Sequence, residues 1–215
     1  MFTPPPAQCP LCPRLVAFRA QNAIDFPMFF NGAVPPFGAL DAAMLVVGLA
    51  PGLKGANATG RPFTGDFAGQ VLYAALAKHG FASGTYDPSR FLQKERDGFT
   101  LHNVRITNAV RCVPPENKPV PAEEKACNPF LIQEMAAMPN LQIILSLGLT
   151  SHKAVLKTFT LKATDYPFAH AAMHRLPNGL TLMDSYHTSR YNVSTGRLTQ
   201  TMFDEVIRKA RSFIG

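Results

Sequence analysis

No stretch of the 215-residue sequence approaches the roughly 20 consecutive apolar residues that a membrane-spanning helix needs, so no membrane role is expected. The opening MFTPPPAQCP has no charged segment followed by an apolar run, so it does not read as a targeting peptide. A soluble cytoplasmic protein is expected, nucleoid-associated if the source is prokaryotic. There is no GK[ST] phosphate-binding signature and no G-x-G-x-x-G, which argues against a P-loop or dinucleotide-binding protein. Internal repeats, low-complexity segments and long charge blocks are also lacking, so solenoids and charged tails are set aside. Tryptophan is absent, and nothing follows from that. Charged residues are few, 16%, against 47% hydrophobic, a balance that builds a core rather than a disordered chain. The charges present are unequal. A formal net charge of +7 favours polyanionic partners, because phosphate neutralisation releases condensed counterions.

Four apolar runs read as buried strands: Met44–Leu49, Asn103–Ala109, Leu141–Leu147 and Leu180–Ser185. Helices are expected at Asp66–His79, with Asp66 as N-cap, and at Pro121–Met138, with Pro in the first turn and Glu123 and Glu124 on the dipole. Further helices are expected at Leu149–Thr158 and Thr195–Phe213. Pro177-Asn178-Gly179 reads as a hairpin-like turn feeding the last strand. Alternating strands and helices predict an α/β protein, a three-layer α/β/α sandwich around a mostly parallel four-stranded sheet. The expectation is one domain over residues 1–215, with a cysteine-containing N-terminal arm over 1–40. In such sheets ligands bind beyond the carboxyl ends of the strands, so the loops that follow strands are where chemistry is sought.

Only four cysteines occur: Cys9, Cys12, Cys112 and Cys127. Cys9 and Cys12 form a proline-bounded C-x2-C, the spacing that points two thiolates at one metal centre. Cys112 and Cys127 flank the loop VPPENKPVP and can supply two further ligands. Spacing alone does not separate zinc from a four-iron cluster. Either would staple the N-terminal arm to the central loop.

Three post-strand loops are unusual. Residues 48–69, GLAPGLKGANATGRPFTGDFAG, are rich in glycine, including Gly48 and Gly52, so a ligand can approach the backbone closely. Within it, Phe63 can stack on a planar base or sit in the core. In TNAVRC, Asn108 ends a strand and offers an amide donor and acceptor suited to a pyrimidine edge. In SYHTSRYNVSTGR, His187 follows the last strand, where it can stabilise charge on a leaving group. Arg190, Tyr191 and Asn192 then combine cation, aromatic and amide in a loop suited to DNA insertion. His79, His102, His152, His170 and His174 have no comparable setting.

Taken in order, CPLC, GLAPGLKGANATGRPFTGD, ITNAVRCVPPENKP, Cys127 and HTSRYNVSTGRLT resemble the iron–sulfur uracil-DNA glycosylases, most closely the B-type group, family 5. The resemblance spans nearly the whole chain. It implies a four-iron four-sulfur cluster on Cys9, Cys12, Cys112 and Cys127. It also implies a base pocket with Gly48, Ala50 and Gly52 in its wall, Phe63 stacking, Asn108 reading the base and His187 at the leaving carbonyl. Three departures stand out: Thr188 where relatives commonly have Pro, Lys54 where they commonly have His, and no Asp in Leu49-Ala50-Pro51 to activate water. Asn57 or Asp66 is left to position the water, and Asn57 is preferred because Asp66 has a capping role.

The reaction expected is hydrolysis of the N-glycosidic bond of uracil in DNA, extended to other deaminated bases such as hypoxanthine and xanthine, by a monomer acting in base excision repair. The alternatives are a non-catalytic nucleic-acid-binding protein with a structural four-cysteine zinc site, and an enzyme of the same fold acting on free nucleotides.

Overall fold

The computed structural model of the chain describes residues 2–92 and 97–215. In chain order its elements are α1 (Pro13–Asp25), β1 (Met44–Gly48), α2 (Ala56–Thr59), α3 (Phe67–Lys78), β2 (Ala82–Ser83), α4 (Ser89–Leu92), β3 (Thr100–Leu101) and β4 (Val104–Asn108). They continue with α5 (Pro121–Ala136), β5 (Ile143–Leu147), α6 (Leu149–Thr158), β6 (Met173–Arg175), β7 (Thr181–Ser185), α7 (Arg190–Ser194) and α8 (Gln200–Ile214). The main sheet has the order β4-β1-β5-β7-β6, in which β4, β1, β5 and β7 are mutually parallel.

The sheet has five strands rather than the four expected. The fifth, β6, runs antiparallel to β7 at the edge. It is the outer arm of the hairpin closed by Pro177-Asn178-Gly179, with Gly179 at φ +88°. Three residues of alternating exposure carry no apolar run to betray such a strand.

Alternate residues of the central strands serve two cores. Met44 and Val46 join Ile106, Leu145 and Met183 beneath Leu72 and Leu76 of α3 and Phe203, Val206 and Ile207 of α8. Leu45 and Val47 join Ile144 and Leu182 against Leu131 and Met135 of α5 and Val155 and Leu156 of α6. Burial on both faces explains why β1 and β5 read as unbroken apolar runs. The result is the three-layer α/β/α arrangement.

Asp66 caps α3 by accepting the Gly69 N–H at 2.9 Å. Pro121 opens α5, where the Val120 N–H donates to Glu123 at 2.9 Å. The helix expected over Thr195–Phe213 is α8, which starts five residues later, at Gln200, and follows the separate short helix α7. Gly196 at φ +71° ends the turn of α7, and Thr199 caps α8 by accepting from Met202 N–H. Helix α1 lies inside the stretch expected as a cysteine-containing arm, where no helix was expected. Its buried residues are Leu15, Arg19 and Asn22, so two of the three inward positions are polar and no apolar periodicity marks it.

Candidate active site

The loops leaving β1, β4 and β7 converge at one end of the sheet. Gly48 pairs with Asn108 across the β1–β4 ladder, so the floor of the site is set by strand register. A methyl group on Gly48 would lie 2.4 Å from Asn108 Oδ1 and 2.6 Å from Phe63 Cζ. Asn108 and Phe63 therefore meet over a residue that must lack a side chain.

Phe63 is held at φ +52°, the left-handed region that bulky residues rarely adopt. Its surroundings over-determine that conformation. The Tyr73 hydroxyl donates to the Pro62 carbonyl at 2.6 Å, and Arg61 Nε donates to Thr64 Oγ1 at 2.8 Å. Gly69 lies so close that a Cβ there would meet the Phe63 carbonyl at 1.6 Å.

His187 faces Phe63 with ring centroids 6.0 Å apart. Burial pulls its imidazole below the ordinary histidine range, against the opposing pull of the Asp66 carboxylate. Its loop is tied at two points. Asn192 Nδ2 donates to the His187 carbonyl at 2.8 Å, and the buried Thr188 hydroxyl donates to the Ala68 carbonyl of α3 at 3.1 Å. The threonine that departs from the related pattern thus anchors this loop to a neighbouring helix.

Phe63, Asn108 and His187 line one cleft of about 640 Å³ with Leu49, Ala50, Gly52, Ala56, Asp66, Ser189 and Arg190, whereas Gly48 lies behind Phe63 and Asn108 and does not line it. The size falls within the roughly 300–1,000 Å³ usual for ligand pockets. Asp66 contributes more than its cap. With Oδ1 bound to Gly69, Oδ2 lies beside Gly52 and Gly55, at the cleft wall. Asn57 is elsewhere: it is fully buried in α2, and its Nδ2 donates to Asn31 Oδ1 at 2.9 Å. It is not among the residues lining the cleft. Lys54 stands exposed before α2.

Arg190, Tyr191 and Asn192 form the first turn of α7 rather than a loop, capped by Ser189. Arg190 lies over the Phe67 ring at 4.9 Å, and Tyr191 is 70% exposed. Asn192 turns inward to His187, so of the three only Arg190 and Tyr191 present their side chains outward.

The four cysteines line one small cavity with Pro5, Leu11, Leu15 and Ala33. Arg19 Nη1 donates to Cys112 Sγ and the Arg111 backbone N–H to Cys127 Sγ, each at 3.5 Å. Donors aimed at sulfur in an apolar pocket suit metal-bound thiolates. Burial otherwise pushes the Cys12 and Cys112 thiols up to about 11, which a bound cation would reverse. The set fits a metal centre. Arg19 was invisible in the sequence, because the helix that carries it was.

The Uracil DNA glycosylase superfamily model matches residues 35–211. A type-5 uracil-DNA glycosylase of Thermus thermophilus is 42% identical over 96% of this chain and 94% of its own length. That of Pyrobaculum aerophilum is 38% identical over 96% of the chain and 89% of its own. A type-4 uracil-DNA glycosylase of Thermotoga maritima is 28% identical over 93% of each. The cleft, Cys112 and Cys127 lie within the span of the family model, and the chain belongs to the uracil DNA glycosylase superfamily.

Proposed function

We propose that the protein is a monofunctional DNA glycosylase that hydrolyses the N-glycosidic bond of uracil in DNA, with hypoxanthine and xanthine as further substrates. The observation that carries this is the convergence of Phe63, Asn108, His187 and Asp66 on one cleft at the carboxyl ends of the strands. The type-5 and type-4 uracil-DNA glycosylases among its relatives support the same reaction.

The extruded base stacks on Phe63 while the Asn108 amide bonds its edge. As the bond between C1′ and the base breaks, the sugar gains oxocarbenium character and the base leaves with the electron pair. The neutral His187 imidazole donates an N–H to the base oxygen on which that charge develops. Asp66 Oδ2 orients the water that adds to C1′ and takes up its proton, so the products are the free base and an abasic site. Asp66 replaces Asn57 in this role because it reaches the cleft. The wall of Ala50, Gly52 and Ala56 leaves room for a purine.

Arg190 and Tyr191 at the rim engage the duplex, in keeping with the net charge of +7. Cys9, Cys12, Cys112 and Cys127 would hold a four-iron four-sulfur cluster, whose contribution would be structural, tying the N-terminal segment to α5 and to the loop before it.

A strand-nicking assay tests the proposal. Duplexes carrying uracil, hypoxanthine or xanthine should be cut at the lesion only after alkali, and undamaged duplex should stay intact. Intact strands on every lesion, from metal-replete protein, would favour a non-catalytic DNA-binding protein.

A further inference from the structure

Two histidines with no evident setting in the sequence meet a buried carboxylate outside the cleft. His152 of α6, His174 of β6 and Asp184 of β7 each bring one ligand-type atom within 4.8 Å of the others. His152 and Asp184 are fully buried, and the His174 side chain is 14% exposed.

Their hydrogen bonds do not close. His152 Nε2 lies 2.9 Å from the Tyr166 carbonyl, an acceptor, and so carries the proton there. In the neutral ring that leaves Nδ1 as a lone pair 2.8 Å from Asp184 Oδ1. Two lone pairs that close require an electrophile, either a proton or a metal ion. On the other side, His174 Nε2 stands 3.4 Å from Asp184 Oδ2, and both buried atoms have no hydrogen-bond partner among the described residues. A charge-assisted bond between them would be shorter, about 2.7–2.9 Å. Ligands on a tetrahedral zinc, with bonds of about 2.0–2.1 Å, stand about 3.3–3.4 Å apart, a spacing that the His174–Asp184 pair has and that the 2.8 Å His152–Asp184 pair reaches by opening about 0.5 Å.

The surroundings match as well. A ligating histidine usually donates its other N–H to a carbonyl, as His152 does to Tyr166. A ligating carboxylate is usually bonded in turn, as Asp184 Oδ1 is by the Ser146 hydroxyl at 2.7 Å.

We propose that His152, His174 and Asp184 form a second metal site, separate from the cysteines, that takes a divalent transition metal such as zinc, with water as fourth ligand. Two imidazoles and a carboxylate suit that choice. The metal pins the β6–β7 hairpin to α6, and so steadies the strand that delivers His187. The partly exposed edge of His174 is the way in.

The test uses the full chain with its cysteine-bound metal in place, equilibrated with Zn²⁺ and freed of excess. Wild type should gain one zinc per chain, counted by elemental mass spectrometry. Its Tm should rise by about 5–10 °C at Zn²⁺ a hundredfold above Kd. His174→Gln should gain no zinc and show no shift, whereas His174→Cys, which restores a ligand, should regain both. Equal uptake by wild type and His174→Gln, or no uptake by wild type, would assign the cluster to a proton-bridged His–Asp pair and overturn the proposal. The glycosylase reading stands or falls separately, since base excision is read on the same samples.

Discussion

Asp66 and Gly55 are packed so tightly that a methyl group on the glycine would lie 2.4 Å from the carboxylate Oδ2. The other oxygen, Oδ1, is committed to the Gly69 N–H at 2.9 Å. One side chain therefore starts α3 and presents an oxygen to the cleft, and substitutions can separate the two roles. Asn caps a helix about as well as Asp, so Asp66→Asn should leave Tm nearly unchanged. The same variant should lower the single-turnover rate on uracil-containing duplex by about 10²–10⁴, the range for a positioned general base. Asp66→Ala should add a stability loss of about 1 kcal/mol. A fully active Asp66→Asn would move the water-positioning role to another residue.

His187→Ala should lower the rate by about 10²–10³, the usual effect of removing one donor to a developing anion. DNA binding, followed by fluorescence anisotropy, should change little. Equal losses in both would make the residue a DNA contact instead.

The same histidine gives a pH signature. Because burial lowers its folded-state value, the unfolded chain binds the proton more readily below the ordinary value of 6.5. Stability from this group is thus complete above about pH 6.5 and is lost as the pH falls toward the folded-state value. Denaturant titrations from pH 7.5 to 5 should show this decline in wild type and a flatter curve in His187→Gln.

Much of this site could be read from the chain because strand ends and glycine-rich loops leave local marks. Gly48, Phe63, Asn108 and His187 each follow or end an apolar run, and parallel pairing brings such ends together. What could not be read depends on distant partners. Asn57 and Asp66 differ only in which neighbour takes the side chain: Asn31 for one, Gly69 for the other. The inward turn of Asn192 needs the His187 carbonyl to be where the folded loop puts it. Helix α1 was hidden because its buried face carries Arg19, whose partner Cys112 lies far along the chain, and Asn22, whose carbonyl accepts from Asn31. The His152, His174 and Asp184 grouping joins three elements with no motif spacing.

The cysteine pocket predicts both a composition and a mechanical consequence. Purified protein should show broad visible absorbance and about four irons per chain; a colourless protein with one zinc would replace the cluster with a single ion. Cys112→Ser should bleach that absorbance. It should also loosen α1, which otherwise depends on Arg19 at the pocket and on the Arg14–Glu123 pair at 2.7 and 2.8 Å. Trypsin should then cut the variant after Arg14 or Arg19 faster than it cuts wild type.

Arg61 lies two residues before the stacking ring and braces the same turn through Thr64 Oγ1 at 2.8 Å. Its guanidinium makes a buried bidentate pair with Asp97 at 2.9 and 2.6 Å. It also lies 4.9 Å from the Phe37 ring centre and 5.5 Å from that of Tyr73. Burial alone would raise the Asp97 carboxyl, but bonds from Arg61, Phe99 and Asp87 hold it below the usual carboxylate value. Asp97→Asn, which leaves a buried guanidinium without its counter-charge, should cost about 3–5 kcal/mol. Arg61→Lys is the more informative change, since lysine keeps the charge but loses the fork and the flat contact with the rings. With its neighbour slackened, Phe63 can leave the φ +52° conformation that presents it to the cleft. The expected result is a drop of at least about tenfold in kcat/KM, close to that of Phe63→Ala. The double variant Arg61→Lys/Phe63→Ala should then lose little more than either single change, because both act on one ring. Additive losses would mean that Arg61 supports the reaction by another route, and the coupling to Phe63 would have to be abandoned.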